Sequence, residues 1–537
     1  MMKLWAFCVS VFLILWLITP AAWARAIEVK SENFILVGNV SPGDAKKLVL
    51  DLEQYRQGIM QLLGLEDHLE PVLVRIYTAQ NSKALADITG VDNIGGIYTT
   101  NIEGPIFMLN SMGGFNSNKR VGSAARSRIQ NGSRARSIAL HEYTHHFLAS
   151  YTNQYYPRWY NEGFADYLST FKVDRDGNML IGTPHQPYTY ALSQRKWMPS
   201  KTVVGAINRY PFISTPRSRG QLSPQDFFYA QSWLAVHYLL SNKEDAAKIR
   251  NYIDTLNSEN RPKNAFEAAF GRPPEEFHLQ LKEYYKQNSY SVAKIIPKRI
   301  ISEASLQVRK ISTGEALFHK AESMRYFRGG EKPSQEIINV YLQAAKKLGK
   351  TPAILAGIAE LKTWQDDFTG AESYINSALA LAPNDQNVNH IAGMILVYKN
   401  EDQTAPANLE ELKRARKHLK TAMRGNPDNI SAHFYYVKTY YLSNKPPSAQ
   451  ALASAELALN YYRSRNFVKS NLILASVLMR GGKTDLVRPA VYSAILWGSD
   501  ADTLAIAYDL KERLDRIQTR TIAPDTQSSY EIIKENN

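Results

Sequence analysis

The residues best placed to do chemistry are His141-Glu142-Tyr143-Thr144-His145, followed by Trp159-Tyr160-Asn161-Glu162-Gly163-Phe164-Ala165-Asp166. Two histidines four apart on a helix point the same way, so both imidazoles can reach one zinc ion. Glu142 comes one residue after the first ligand, beside the open coordination position, where a carboxylate can take a proton from water. Glu162 lies seventeen positions past His145, room enough for a turn and a second helix to return it as third ligand. Asp166 sits one helical turn further on and can accept the spare N–H of a ligand histidine. His146 faces another way and is read as packing rather than ligation.

These two segments resemble the gluzincin peptidases, the thermolysin-like group that holds zinc with two His and one Glu. Asn161-Glu162 ahead of Asp166 is similar to the third-ligand segment of thermolysin. Trp159-x-x-Glu162-Gly163-x-Ala165-x-Tyr167 looks more like the peptidase MA-like bacterial proteins, which often carry helical repeats behind the catalytic domain. The resemblance covers roughly residues 27–290 and implies metallopeptidase activity. It makes His141, His145 and Glu162 the ligands of one zinc ion, Glu142 the general base and Asp166 the partner of His141.

Other elements must position these residues. Alternation predicts a strand over Ile27–Val37, an amphipathic helix over Pro42–Leu65 and a second strand over Val72–Tyr77. Gly95–Thr99 and Pro105–Asn110 read as a strand pair, and Pro105 suits an edge. By the gluzincin resemblance, Ile106–Leu109 is the edge segment expected to hold extended substrate through main-chain hydrogen bonds. The metal helix is expected over Ser137–Ser150, with Gly163 letting the second helix approach it closely. Asp174–Gly177 reads as a turn, and Val204–Gly220 as a loop walling the cleft.

Peptide hydrolysis builds negative charge on the former carbonyl oxygen, so a neutral donor opposite the metal helps. Related zinc aminopeptidases place a tyrosine two residues before Lys-Gly near a helix start. Tyr229 holds the matching position here, although Gln231-Ser232 replaces Lys-Gly. His237 is the alternative donor, since thermolysin uses a histidine. No Gly-x-Met-Glu-Asn-type segment precedes the metal helix to hold a free amine, which disfavours an aminopeptidase.

The chain has 537 residues, enough for two to four domains. Lys3, the apolar run from Leu4 to Ile18, Pro20 and Ala22-Trp23-Ala24 read as a secretory signal cleaved after Ala24, with an uncleaved anchor as the alternative. Cys8, the sole cysteine, lies within it, so a mature chain has no thiol. An exported protein of the bacterial envelope, periplasmic or secreted, fits these features. The net charge of +14 is uneven. Lys119, Arg120, Arg126, Arg128, Arg134 and Arg136 fall between Ser111 and His141 with no acidic residue, in what reads as a mobile loop. No aromatic residue interleaves them after Phe115, which argues against nucleic acid. An anionic substrate or envelope surface fits better, and a merely solvated loop fits equally.

Residues 265–285 close the first domain with a break at Gly271-Arg272-Pro273-Pro274. The expected divisions are a signal over 1–24, an α+β gluzincin-like domain over 25–290, a linker over 291–311, a tetratricopeptide-like solenoid over 312–515 and a disordered tail over 516–537. A linker there would make the two main parts separable. Ser312 and Glu315 form a capping box. Ile358, Ala359, Ala371, Ile375, Ala378 and Pro383 have tetratricopeptide spacing, and Ala415, Leu419, Ala422 and Pro427 repeat its latter part. The two prolines are 44 apart rather than the usual ~34, so about ten extra residues are expected near Asn400–Asn408. Further pairs are expected over about 431–465 and 467–497, and the concave face is expected to bind a protein partner.

These features predict an exported zinc metallopeptidase acting on a peptide or protein. The alternatives are an envelope scaffold with a vestigial metal site and hydrolysis of a non-protein amide in cell-wall material.

Overall fold

The computed structural model describes residues 26–522, apart from 68, 71, 93, 113–122, 153, 195, 208–209, 212–221, 259–261, 329–334, 402–405, 463–466 and 499. The expected signal over 1–24 and residues 523–537 of the tail lie outside the described residues. Among the described residues no helix is long and apolar enough to cross a membrane.

A six-stranded sheet organises the first half, in the order β4-β5-β3-β2-β1-β9. Its strands are β1 (Ile27–Lys30), β2 (Phe34–Gly38), β3 (Val74–Ala79), β4 (Gly96–Asn101), β5 (Gly104–Asn110) and, much later, β9 (Gln307–Lys310). The single strand expected over 27–37 is a hairpin. The chain turns at Ser31–Asn33, where the Asn33 amide N–H and side chain both donate to Glu53, at 2.9 and 2.8 Å. β2, β3 and β5 run parallel, while β1, β4 and β9 pair antiparallel with their neighbours.

Both faces of this sheet are covered at its centre, which explains why β2, β3 and β5 are apolar on both sides. Phe107 and Leu109 of β5 face a core with Phe34, Leu36, Val74 and Ile76. The long helix there, α3 (Ser123–Tyr151), supplies Leu140, Tyr143 and Phe147, and α1 (Pro42–Leu62) supplies Tyr55. Ile106 and Met108 face the other way with Val37 and Tyr77. That second face is covered by α2 (Ser82–Thr89) and by three helices of the C-terminal half: α11 (Thr313–Arg328), α12 (Gln335–Leu348) and α13 (Pro352–Trp364).

β5 is therefore an interior strand with β3 and β4 on either side, and its Ile106–Leu109 segment cannot receive substrate. Among the described residues the edge strand on this side is β4. Helix α3 also begins far earlier than expected, at Ser123, because the Ala, Arg and Gln residues of the basic stretch favour helix despite Gly132. Of the six basic residues only Arg136 has a described side chain. It is spent internally, donating from Nε to Asp51 at 2.6 Å and from Nη1 to the Phe171 carbonyl at 3.0 Å.

Around the site lie α4 (Arg158–Ser169), α5 (Gln186–Ser193), α6 (Ser200–Val204) and α7 (Pro224–Ser241). Helices α8 (Lys243–Leu256), α9 (Ala265–Phe270) and α10 (Pro274–Gln287) follow, the last two separated at the expected Gly271–Pro273 break. β6 (Lys172–Val173), β7 (Met179–Ile181) and β8 (Ala293–Ile295) form a second small sheet. Asp174–Gly177 is the expected turn between β6 and β7, with Gly177 at φ +83°.

The 291–311 segment is not a linker. It places β8 in the small sheet, then β9 beside β1. Helix α11 opens on the expected capping box, the Ser312 N–H donating to Glu315 at 2.7 Å and the Glu315 N–H to Ser312 Oγ at 3.2 Å. After α13 the helix pairs continue: α14 (Phe368–Leu381), α15 (Gln386–Tyr398), α16 (Leu409–Gly425), α17 (Ile430–Ser443), α18 (Ala449–Tyr461), α19 (Val468–Arg480), α20 (Thr484–Trp497) and α21 (Ala501–Ile522). The extra residues fall between α15 and α16, where Asn400 bonds Glu411 and the Asn408 N–H. Helix α21 runs through position 516, where the tail was expected to begin.

The first helices of successive pairs (α13, α15, α17 and α19) pack directly on one another and line the inner side of the array. That inner side is partly taken by the chain itself. The β4–β5 turn inserts there, with the Tyr462 hydroxyl donating to the Ile102 carbonyl at 2.7 Å. Buried Arg325 of α11 joins Glu103 of that turn, at 3.3 Å, to Glu360 of α13. A chain ending at Ser289 would lose β9 and bare the Ile106–Met108 face. Such a truncation should show no cooperative thermal unfolding by circular dichroism, whereas one ending at Ala382 should retain it.

Candidate metal centre

Helix α3 carries His141 and His145 on the side away from the sheet. Tyr143, Thr144 and Phe147 pin its other side: Tyr143 donates to buried Glu70 at 2.6 Å, and Thr144 pairs with Tyr55 at 2.6 Å. His146 lies on that inner side too, with Nε2 3.3 Å from Glu70 and Nδ1 3.2 Å from the Tyr98 hydroxyl.

His141, His145 and Glu162 each offer one ligand atom, all within 4.8 Å of one another. The two Nε2 atoms are 3.0 Å apart, and Glu162 Oε2 is 3.3 Å from that of His141 and 3.4 Å from that of His145. The far side of each ring is occupied. His141 Nδ1 meets Asp166 Oδ1 at 2.8 Å, and His145 Nδ1 meets Asn161 Oδ1 at 3.2 Å. Both acceptors draw the ring proton to Nδ1, so both Nε2 atoms present lone pairs to the same point. Two ring nitrogens and a carboxylate oxygen converging on one point make a place for positive charge, a proton or, in exchange for it, a metal cation.

Zinc fits this donor set. Ligands at about 2.0–2.1 Å in a tetrahedron stand about 3.3–3.4 Å apart, which the three atoms nearly meet as they stand. The local field favours positive charge as well. Burial works against a charged His141, but the negative charges of Asp166 and Glu162 outweigh it and hold its pKa well above the usual histidine value. Burial likewise opposes an ionised Glu162, yet the two histidines hold its carboxyl well below the usual carboxylate range.

Glu142 is half-buried beside this group and makes no hydrogen bond or ion pair among the described residues. Burial pushes its carboxyl pKa up, which suits a base that must both take and return a proton.

Three expectations about the surroundings change. Gly163 does not face the metal helix. A Cβ there would lie 2.3 Å from the Ser232 carbonyl oxygen, so the glycine lets α4 close on α7. His237 is no oxyanion donor, because its Nε2 donates to the Gly182 carbonyl at 2.8 Å and its Nδ1 accepts from Tyr284 at 2.9 Å in the core. Tyr229 is near the site but not first against it. Its hydroxyl bonds that of Tyr210, and Tyr210 donates to Glu162 Oε1 at 2.6 Å. Burial and the Glu162 charge raise the pKa of both phenols, so both stay protonated.

Tyr210 and Asn161 are the neighbours that spacing alone did not reveal. Asn161 could have been found from its place one residue before Glu162. Tyr210 belongs to the stretch expected as a loop over 204–220, of which 208–209 and 212–220 lie outside the described residues, and no regular spacing marks it.

No protein-family model and no curated protein matches this chain. Among solved structures it is similar to the crystal structure of a thermophilic TPR protein of Thermus thermophilus, with 17% identity and a TM-score of 0.28, over 38% of this chain and 100% of that one. So loose a superposition carries no weight here, and the repeat architecture rests on the helix pairs themselves.

Replacing Gly163 by Ala should force α4 away from α7. A stability loss of about 1–3 kcal/mol, the usual cost of overpacking, is expected in denaturant unfolding. A wild-type midpoint would show that the two helices can separate without strain.

Proposed function

We propose that this protein is a zinc-dependent metallopeptidase of the gluzincin type, exported to the bacterial envelope, with a tetratricopeptide-like solenoid that serves a protein partner. One observation carries the reading: two imidazole lone pairs and a carboxylate oxygen converge at 3.0–3.4 Å, each ring backed by an acceptor on its far side. His141, His145 and Glu162 would hold one zinc ion. Zinc there supplies Lewis acidity, polarising a carbonyl and lowering the pKa of water towards about 7.

The rest of the reaction falls to side chains. Glu142, without a hydrogen-bond partner among the described residues and next to the ligands, takes the proton from the attacking water as the C–O bond forms. It then delivers that proton to the leaving nitrogen as the C–N bond breaks. Tyr229 supplies the hydroxyl for the carbonyl oxygen as it gains charge, exchanging its bond to Tyr210 for one to the substrate. The outer edge of β4 replaces Ile106–Leu109 as the strand that can pair with an extended peptide. Its residue Tyr98 bonds His146 on the metal helix, so edge and helix keep a fixed separation.

Glu142→Gln keeps the side chain's size but cannot accept the proton. Zinc content by elemental analysis and thermal stability should stay near wild type while peptide hydrolysis becomes undetectable. His145→Ala should lose both metal and activity. Intact biological function in Glu142→Gln would favour the scaffold role over catalysis.

Tyr229→Phe removes only a hydroxyl. Turnover on a peptide substrate should fall roughly 10²–10³-fold with KM little changed. An unchanged kcat would remove Tyr229 from the reaction.

A further inference from the structure

We propose that Tyr210 is a positioning residue that confines Glu162 to coordination through one oxygen, and so keeps a metal position open for water and substrate. The inference rests on the metallopeptidase reading and deepens it.

The two carboxylate oxygens of Glu162 have different neighbours. Oε2 faces the histidine Nε2 atoms at 3.3 and 3.4 Å, whereas Oε1 accepts from the Tyr210 hydroxyl at 2.6 Å. A short O–H···O⁻ bond of this kind is charge-assisted and stronger than a neutral one. Left free, a ligand carboxylate can turn its second oxygen onto the same ion. That would fill the position a catalytic site must leave vacant. The tyrosine bond competes directly with that turn, since Oε1 cannot approach the ion without leaving the hydroxyl.

Tyr210 is itself fixed to the element that carries the ligand. The first two N–H groups of α4 donate to the segment just before it, Arg158 to the Ile207 carbonyl at 3.0 Å and Trp159 to the Ala206 carbonyl at 3.3 Å. The Arg158 guanidinium lies over the Tyr210 ring at 4.9 Å, and Phe228 of α7 meets the ring edge-on at 5.9 Å. Ligand and clamp therefore move as one unit. The ring contacts survive replacement by phenylalanine, so the substitution takes away only the hydroxyl with its bonds to Glu162 and Tyr229, and metal affinity and cobalt spectrum report the first of these.

The test compares full-length wild type, Tyr210→Phe and Tyr229→Phe, each loaded with zinc and, separately, with cobalt(II). Zinc affinity is read by chelator competition, and cobalt coordination by the intensity of its visible absorption, which weakens as coordination number rises. Tyr210→Phe should lose roughly 10–100-fold in zinc affinity, as loss of a residue supporting a ligand usually does. Its cobalt absorption should weaken and its kcat fall, while KM stays near wild type. Tyr229→Phe should keep wild-type affinity and spectrum. A Tyr210→Phe protein with wild-type cobalt spectrum and zinc affinity would overturn the clamp while leaving the metallopeptidase reading standing. Failure of the wild type to bind either metal would remove both together.

Discussion

Holding two imidazole lone pairs and a carboxylate oxygen within 3.4 Å of one another is unfavourable until something positive lies between them. The surrounding structure must therefore prevent the three groups from parting. A single helix could not do this, because surface side chains at i and i+4 rotate freely. Here each ring is tied at its far nitrogen, to Asp166 and to Asn161, and both ties come from α4, the helix that also carries Glu162. The site is thus a two-helix clasp, and its rigidity is the rigidity of the α3–α4 contact. Beneath it, Arg136 bridges α3 to Asp51 of α1 and to the Phe171 carbonyl just past the end of α4. Buried Glu70 gathers Tyr143, His146 and Arg56 below the metal helix. Such a network makes a wrong register costly, since each misplaced partner would leave a buried charge unpaired.

The clasp in turn depends on a sheet buried on both faces. β5 contributes alternate residues to each side, Phe107 and Leu109 under the metal helix and Ile106 and Met108 under α11–α13. Removing either cover would expose an apolar face of the sheet's parallel centre, β2, β3 and β5, which has no polar alternative to offer water. The helical array is accordingly part of the fold that holds the site. Its first pairs serve as the second layer of an α/β sandwich, and only the later pairs stand apart as a repeat.

Much of this was legible in the sequence, and the failures have common causes. The convergence of His141, His145, Glu162 and Asp166 was legible because each pair, His141 with His145 and Glu162 with Asp166, shares a face through helical spacing, which is local. The helix pairs were legible for the same reason, since small residues at Ala371, Ala378, Ala415 and Ala422 recur where helices close on one another. Strand order was not local. β9 is four exposed residues whose only credential is a partner almost three hundred positions away, so the stretch read as a linker. Pro105 suggested an edge, but proline also suits a strand's start, and Pro105 is the second residue of an interior strand. Gly163 correctly signalled a close helix approach, while the sequence could not say that Ser232 would be the neighbour. Tyr210 had no signal at all, because its role arises only once α4 has folded back against Ala206, Ile207 and Tyr210.

The insertion of the β4–β5 turn into the helical array ties these levels together. An inner face of stacked helices usually lies open to an extended partner. In this chain Arg325 and Glu360 of that face meet Glu103, and the Tyr462 hydroxyl takes the Ile102 carbonyl, so the first occupant is the tip of the sheet's own edge hairpin. Tyr461 stands beside Gly104 at the same tip. The outer edge of β4 thus runs from the metal helix at one end, where Ile138 packs on Gly96, to the helical array at the other. Under the metallopeptidase reading, a peptide paired along that edge reaches the array within a few residues of the reacting bond. On that reading the array bounds the end of the edge at Ile102 and Glu103 as well as supporting the sheet.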